Sequence, residues 1–162
     1  MDICETHSKS YLAWFDIYWD TKYFQSTEHT NLSLASYFRH SVIVKILLEK
    51  GTRVDSKDSE YSQTPLSWAA QRGHKDVIQL LLEKEAEVDS KDRKYSRTPL
   101  SWAAQGGHKD VVQLLLEKEA KVDSKDGNSR TPLLWAARNG HKDIVQLLLE
   151  KKAEVDWKGS DG

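Results

Sequence analysis

One stretch of the chain decides the fold, and it reads Thr64-Pro65-Leu66-Ser67-Trp68-Ala69-Ala70. The same seven-residue sequence recurs at residues 98–104, and a variant with Leu in place of Ser recurs at 131–137. The starting position moves from 64 to 98 and from 98 to 131, so the period is 34 and then 33 residues. A fixed period of this length is typical of a chain built from stacked structural units.

The rest of each unit repeats as well. A Gly-His-Lys-Asp stretch begins at Gly73, Gly107 and Gly140, and an apolar run that ends in three leucines and a glutamate follows it. A degenerate copy lies upstream, where residues 30–49 keep the register without the proline. It has Arg39 in place of the glycine, and drift of this kind is common in terminal repeats.

Local signals divide each unit into two helices and a loop. Thr64 is suited to an N-cap and Pro65 to the first helical position, where a missing N–H costs nothing. Gly73 is suited to the left-handed position that ends a helix. A second helix is predicted from Lys75 to Glu83, and the polar segment 85–97 is predicted to form a loop with a β-hairpin.

This pattern resembles the ankyrin repeat, whose signature is Thr-Pro-Leu-His-x-Ala with a period of about 33. The resemblance covers residues 30–158 and implies an all-α repeat solenoid of helix-turn-helix units joined by β-hairpin loops. The family histidine, which braces neighbouring hairpins, is replaced by Ser67, Ser101 and Leu134. The sequence of the repeats is also similar to that of fungal-type ankyrin arrays, which are often the C-terminal parts of NACHT-type proteins.

The register predicts five parts: an aromatic-rich N-terminal capping segment, a degenerate first repeat and three regular repeats, at 1–29, 30–63, 64–97, 98–130 and 131–162. A helix is predicted over about residues 8–19, and it either caps the first repeat or docks an upstream domain or partner. The last repeat ends without a clear cap. This pattern favours a slice of a longer array, and self-association at this end is the alternative.

Bulk properties narrow the class of protein. The chain has 24 basic and 25 acidic residues, a net charge of -1, whereas nucleic-acid binders usually carry a basic excess. Its one cysteine, Cys4, cannot form an intrachain disulfide, and the sequence has neither a signal peptide nor an apolar run long enough to span a membrane. We expect an intracellular, cytoplasmic protein without membrane contact, and a nuclear location is the alternative.

The recurring histidines His74, His108 and His141 invite a metal-site interpretation. Equivalent positions in stacked repeats lie about 8–10 Å apart, too far to share a zinc ion with ligands at about 2 Å. We therefore expect each histidine to bond to nearby backbone, and we predict neither metal nor cofactor. Catalysis needs an irregular cluster of reactive side chains, and none is visible, so the chain is not expected to be an enzyme.

Three tryptophans share one position in the repeat, namely Trp68, Trp102 and Trp135. They form either a buried ladder between repeats or a groove floor that a partner touches. The two alternatives differ in the outcome for Trp102→Ala, which should unfold the array if the ring is core and abolish binding if it is groove.

Positions that break the repeat are the ones that can encode a partner. They fall at the hairpin tips and at the ends of the first helices, which the ankyrin resemblance places on one concave face. The predicted partner-binding residues are Tyr61, Gln63, Arg72, Arg93, Lys94, Tyr95, Arg97, Gln105, Asn128, Arg130, Arg138 and Asn139.

The sequence therefore favours a non-catalytic scaffold that binds another protein or peptide of acidic or mixed charge on this groove. Two alternatives stay open at this point. One is a small-molecule binder or enzyme that uses the tryptophan column, and the other is a weak nucleic-acid binder that uses the locally basic groove, which the balanced net charge disfavours.

Overall fold

The computed structural model describes residues 30–155, which form four antiparallel helix pairs. No helix within this range combines the length and apolar character needed to cross a membrane. The helices are α1 (Asn31–Tyr37), α2 (Ser41–Glu49), α3 (Pro65–Arg72), α4 (Lys75–Glu83), α5 (Pro99–Gly106), α6 (Lys109–Glu117), α7 (Pro132–Arg138) and α8 (Lys142–Glu150).

The first helix of each pair begins and ends where its local signals predict. The Thr64 hydroxyl accepts a hydrogen bond from the Ser67 N–H, and Pro65 opens α3. The same cap occurs at Thr98 and Thr131. Gly73 ends α3 at a φ of 75°, in the left-handed region that glycine enters without steric cost.

The second helices α4, α6 and α8 each begin after a histidine whose side chain does not cap the helix. The imidazole instead reaches the preceding pair. His74 Nε2 donates to the Tyr37 carbonyl at 2.9 Å, and His108 and His141 make the same contact 3.0 Å from the carbonyls of Gln71 and Gln105. These bonds confirm that the histidines contact backbone, and they join successive pairs.

The core runs along the stack of helices. Leu66 and Leu100 are fully buried, and so are the alanine pairs at 69–70 and 103–104. The alanines are small enough for first helices to pack on one another in the order α1, α3, α5 and α7, while second helices pack in the order α2, α4, α6 and α8. This arrangement confirms the all-α repeat solenoid.

The connecting loops are hairpin-shaped but contain no β-strand within residues 30–155. A backbone bond closes each, as from Asp58 N–H to the Gln63 carbonyl at 3.2 Å. One backbone bond joins each neighbouring pair of these loops, as from Arg93 N–H to the Tyr61 carbonyl at 2.7 Å. The expected β-hairpins are therefore corrected to tight loops that are too short for a ladder of strand bonds.

Three predictions fall partly or wholly outside the described residues. These are the helix over residues 8–19, its capping or docking role, and the open last repeat, whose final residues 156–162 lie beyond the described range. The repeat boundaries at 30, 64, 98 and 131 stay predictions.

Candidate functional site

A buried aspartate organises each of the three loops that connect one helix pair to the next within residues 30–155. Asp58 is 2% exposed, and its carboxylate accepts hydrogen bonds from Tyr61 N–H at 2.6 Å, Gln63 N–H at 3.0 Å and the Trp68 indole N–H at 3.0 Å. Asp92 and Asp126 make the equivalent bonds one and two repeats later. The aspartate thus fixes the loop to the helix that follows.

The aspartate column is the feature that sequence reasoning missed. Neither the repeat pattern nor the composition predicts the bond between Asp92 and Trp102. A signal was available in the spacing, because each tryptophan follows its aspartate by nine or ten residues. A buried carboxylate needs donors, and a buried indole N–H needs an acceptor, so the two columns satisfy one another.

The tryptophan column combines both interpretations left open by the sequence. Trp102 and Trp135 are 8% and 6% exposed, and Trp68 is half-buried. Their indole nitrogens are occupied by the aspartates. Trp68 and Trp102 nevertheless line a surface depression, so they form a largely buried floor with a small accessible face.

Arg97 lies between two of the tryptophans instead of facing solvent. Its guanidinium carbon is 4.5 Å from the Trp102 ring centroid and 3.8 Å from that of Trp135. Its Nη1 donates to the Gln105 side chain at 2.8 Å, and its Nε is 3.7 Å from the buried carboxylate of Asp126. Burial lowers the pKa of Arg97, and Asp126 and Asp92 act in the opposite direction.

Two of the predicted contact residues are largely buried. Arg97 and Gln63 are 7% and 3% exposed, so each offers a partner only a small accessible area. Their side chains support the loops because they bond to Gln105 and Gln71, near the ends of the first helices.

The structure brings much of the predicted set together in one depression of about 460 Å³, which we call the notch. The notch lies between the loop before α3 and the loop before α5. Every residue that lines it except Gln71 belongs to the predicted partner-binding set or the tryptophan column. The lining residues are Tyr61, Gln63, Trp68, Gln71, Lys94, Tyr95, Arg97, Trp102 and Gln105.

A cation and two aromatic rings stand at the mouth of the notch. The Lys94 ammonium lies 4.5 Å from the Tyr61 ring centroid and 5.2 Å from that of Tyr95. A hydrogen bond with Tyr95 raises the pKa of Lys94. A hydrogen bond with Glu60 raises the pKa of Tyr61.

The other predicted residues lie outside the notch. Arg72 is exposed and stacks over Tyr37 at 4.7 Å, and the Arg130 guanidinium lies 5.1 Å from the Trp135 ring centroid. Asn139 at the end of α7 donates its side-chain amide to the Trp135 carbonyl at 2.8 Å. The rest of this group is exposed, namely Arg93, Asn128 and Arg138.

Two comparisons bear on this arrangement. The family model for ankyrin repeats in three copies matches residues 9–92 and again 92–158. A search of curated proteins finds no match. Among residues 30–155, no group of three or more histidine, cysteine or acidic side chains is placed to hold a metal ion.

Proposed function

Because the chain belongs to the ankyrin-repeat family, whose members generally mediate protein–protein interaction, we propose that it is a non-catalytic scaffold that binds a protein partner on its loop side. The contact surface consists of the notch and the exposed cations beside it. The partner is a peptide or domain surface of acidic or mixed charge.

The observation that carries this proposal is the notch itself. It gathers Tyr61, Lys94 and Tyr95, which differ from the residues at the corresponding loop of the last repeat. Tyrosine is among the side chains most often found at binding hot spots, because it offers a large rigid area with a polar tip. The buried aspartates hold the loops that present these side chains, so little ordering is needed on binding.

Charge supports an acidic component in the partner. Arg72, Arg93 and Lys94 are exposed on the loop side, whereas Arg97 is neutralised by Asp126. Exposed charges of one sign accelerate association with a partner of opposite sign, and salt weakens this effect. We therefore expect affinity to fall as ionic strength rises.

The test compares two double variants with the same change of charge. Arg72→Glu with Arg93→Glu reverses the loop-side cations, and Lys84→Glu with Lys118→Glu reverses exposed lysines after the second helices. Partners captured by the wild type and identified by mass spectrometry are then measured against each variant.

The expected result is loss of binding by the loop-side variant and retention by the second-helix variant. The opposite pattern, retention by the first and loss by the second, excludes the loop-side surface. Circular dichroism of both variants must show unchanged helix content, because misfolding would imitate loss of binding.

Two finer parts of the proposal rest on sequence alone. The similarity to fungal-type arrays supports a role as the interaction part of a larger NACHT-type signalling protein, and the cysteine content supports an intracellular location. The first is tested by purifying the full-length protein from its host and establishing which domains accompany the array.

A further inference from the structure

The notch is built from a departure from the repeat. Tyr61 and Tyr95 occupy the same loop position one period apart, and the loop before α7 has Asn128 there. Within residues 30–155, the loops before α3 and α5 are therefore the neighbouring pair that places a tyrosine on both sides. The backbone bond from Arg93 N–H to the Tyr61 carbonyl fixes the spacing of these two loops.

The two tyrosine rings are held from behind by the tryptophans. Tyr61 meets Trp68 edge-on with 6.2 Å between centroids, and Tyr95 meets Trp102 edge-on at 5.9 Å. Edge-to-face packing at this distance is a favoured arrangement of aromatic pairs. The rings therefore form a rigid support for the Lys94 ammonium that lies over them.

We propose that the notch receives an acidic side chain from an extended peptide segment of the partner, with Lys94 as the contact and Tyr61 and Tyr95 as positioning residues. This inference rests on the proposed function and adds the chemical class of the group that enters the notch. The rings hold the ammonium at the mouth, where its free side faces an incoming carboxylate.

An acidic group fits the notch better than a basic one, because a basic group would compete with Lys94 for contact with the tyrosine rings. A lysine or arginine from the partner would have to displace Lys94 from the same rings, so one cation–π contact is lost for each one gained. A carboxylate adds an ion pair while Lys94 keeps its contacts with the rings. Because Lys94 is already positioned, less side-chain freedom is lost on binding.

Glu60 is an acidic neighbour that opposes this binding. It lies close enough to raise the pKa of both Tyr61 and Lys94. An incoming carboxylate is repelled by Glu60 and attracted by Lys94. Removal of the Glu60 charge should therefore strengthen binding, an effect opposite in direction to removal of Lys94.

The experiment is an NMR titration of the full chain with a hexaglutamate peptide, in a buffer of constant ionic strength. We expect the largest amide shift changes at Tyr61, Lys94 and Tyr95. Inorganic phosphate is titrated in parallel as a free anion. Equal saturation by phosphate at these residues would overturn the assignment to a peptide side chain.

Variants define the role of each side chain. Lys94→Ala should weaken binding by about three-fold, the size expected of an exposed ion pair, and Glu60→Gln should strengthen it by about two-fold. Tyr61→Leu should weaken binding although the ammonium remains, and Tyr61→Phe should restore it, because phenylalanine keeps the ring face. The matched control is Lys91→Ala, which removes an exposed lysine bound to the Lys125 carbonyl at 2.7 Å.

Three further results would overturn the inference. One is a hexaglutamate response spread equally over lysines outside the notch, and another is equal weakening by Lys91→Ala and Lys94→Ala. The third is tighter binding of a lysine-rich peptide than of hexaglutamate by the wild type, which would assign the notch to cations. None of these results bears on the capture experiment with loop-side and second-helix variants, so the two proposals can fail separately.

Discussion

The Arg97 guanidinium carbon lies 3.8 Å from the ring centroid of Trp135, although the two residues belong to different helix-loop units. Arg97 precedes α5, and Trp135 lies on α7. The same guanidinium is 3.7 Å from Asp126, whose carboxylate accepts the Trp135 indole N–H. These three side chains form a buried connection between neighbouring units on the loop side.

Replacing Arg97 with alanine should be strongly destabilising. The Asp126 side chain is 1% exposed, so the change leaves a buried carboxylate without its cation. The loss of one partner from a buried pair typically costs about 3 kcal/mol. Urea denaturation followed by circular dichroism measures the loss in the free energy of unfolding.

Arg130→Ala is the matched control for this prediction. Arg130 holds the corresponding position one repeat later, is only half-buried and lies farther from the Trp135 ring, at 5.1 Å. We expect a loss below about 1 kcal/mol, as for most surface substitutions. Equal losses for the two variants would show that the buried ion pair contributes nothing.

The Trp102 ring stabilises the fold through both its buried apolar area and the hydrogen bond of its indole nitrogen. Trp102→Ala should lower the free energy of unfolding by about 3–5 kcal/mol, as for other buried aromatics. Trp102→Phe keeps most of the apolar contact but removes the bond to Asp92, which is 3.2 Å long. That loss should be about 1–3 kcal/mol, because Asp92 is buried. Thermal melts of both variants rank the two effects, and equal melting temperatures would contradict this ranking.

Sequence reasoning succeeded where the determinants are local. The Thr64 cap, Pro65 and Gly73 act within one turn of the helix they begin or end, so their roles follow from neighbouring residues alone. It failed for Arg97, because an arginine is exposed by default and nothing next to it in the chain predicts burial. The burial comes from Trp102 and Trp135, which only the stacking of helices brings together.

The candidate site was predictable in composition but not in arrangement. The break in the repeat at Tyr61 and Tyr95 was visible in the sequence, as was the cationic character of Lys94. The placement of the ammonium over both rings depends on side-chain rotamers and on the spacing of two loops. Neither property is encoded in the period of the repeat.

Burial of His74 makes the stability depend on pH, and the hydrogen bond to the Tyr37 carbonyl, which raises the pKa, offsets this effect only in part. Burial lowers the pKa of His74 below its ordinary value of 6.5, and the neighbouring Arg39 and Arg72 act in the same direction. The folded state therefore binds this proton more weakly than the unfolded state. The contribution of neutral His74 to the free energy of unfolding is fully present above about pH 6.5. It is lost as pH falls through the lower pKa of the folded state.

Urea denaturation at several pH values between about 7.5 and 5 measures this effect. The free energy of unfolding of the wild type should decrease over this range. His74→Gln should show a smaller decrease, because glutamine does not titrate. An unchanged slope in the variant would mean that other groups cause the pH dependence.

Gly107 and Gly140 offer a matched pair that isolates the histidine contact between units. Both have left-handed backbones, with φ of 79° and 76°. A Cβ at Gly107 would lie 2.7 Å from Cε1 of His141, whereas one at Gly140 would meet nothing within 4 Å among the described residues. Gly140→Ala should therefore cost only the strain of an alanine in the left-handed region, about 1 kcal/mol.

Gly107→Ala should cost more, at least about 2 kcal/mol, because it also displaces His141 from the Gln105 carbonyl. Urea denaturation of both variants is repeated in a His141→Ala background, which completes a double-mutant cycle. With the imidazole absent, the penalty at Gly107 should fall to that at Gly140, because only backbone strain remains. An unchanged loss in the free energy of unfolding for Gly107→Ala in that background would mean that His141 does not depend on a glycine at this position. The close approach of the ring to Gly107 would then contribute nothing to stability.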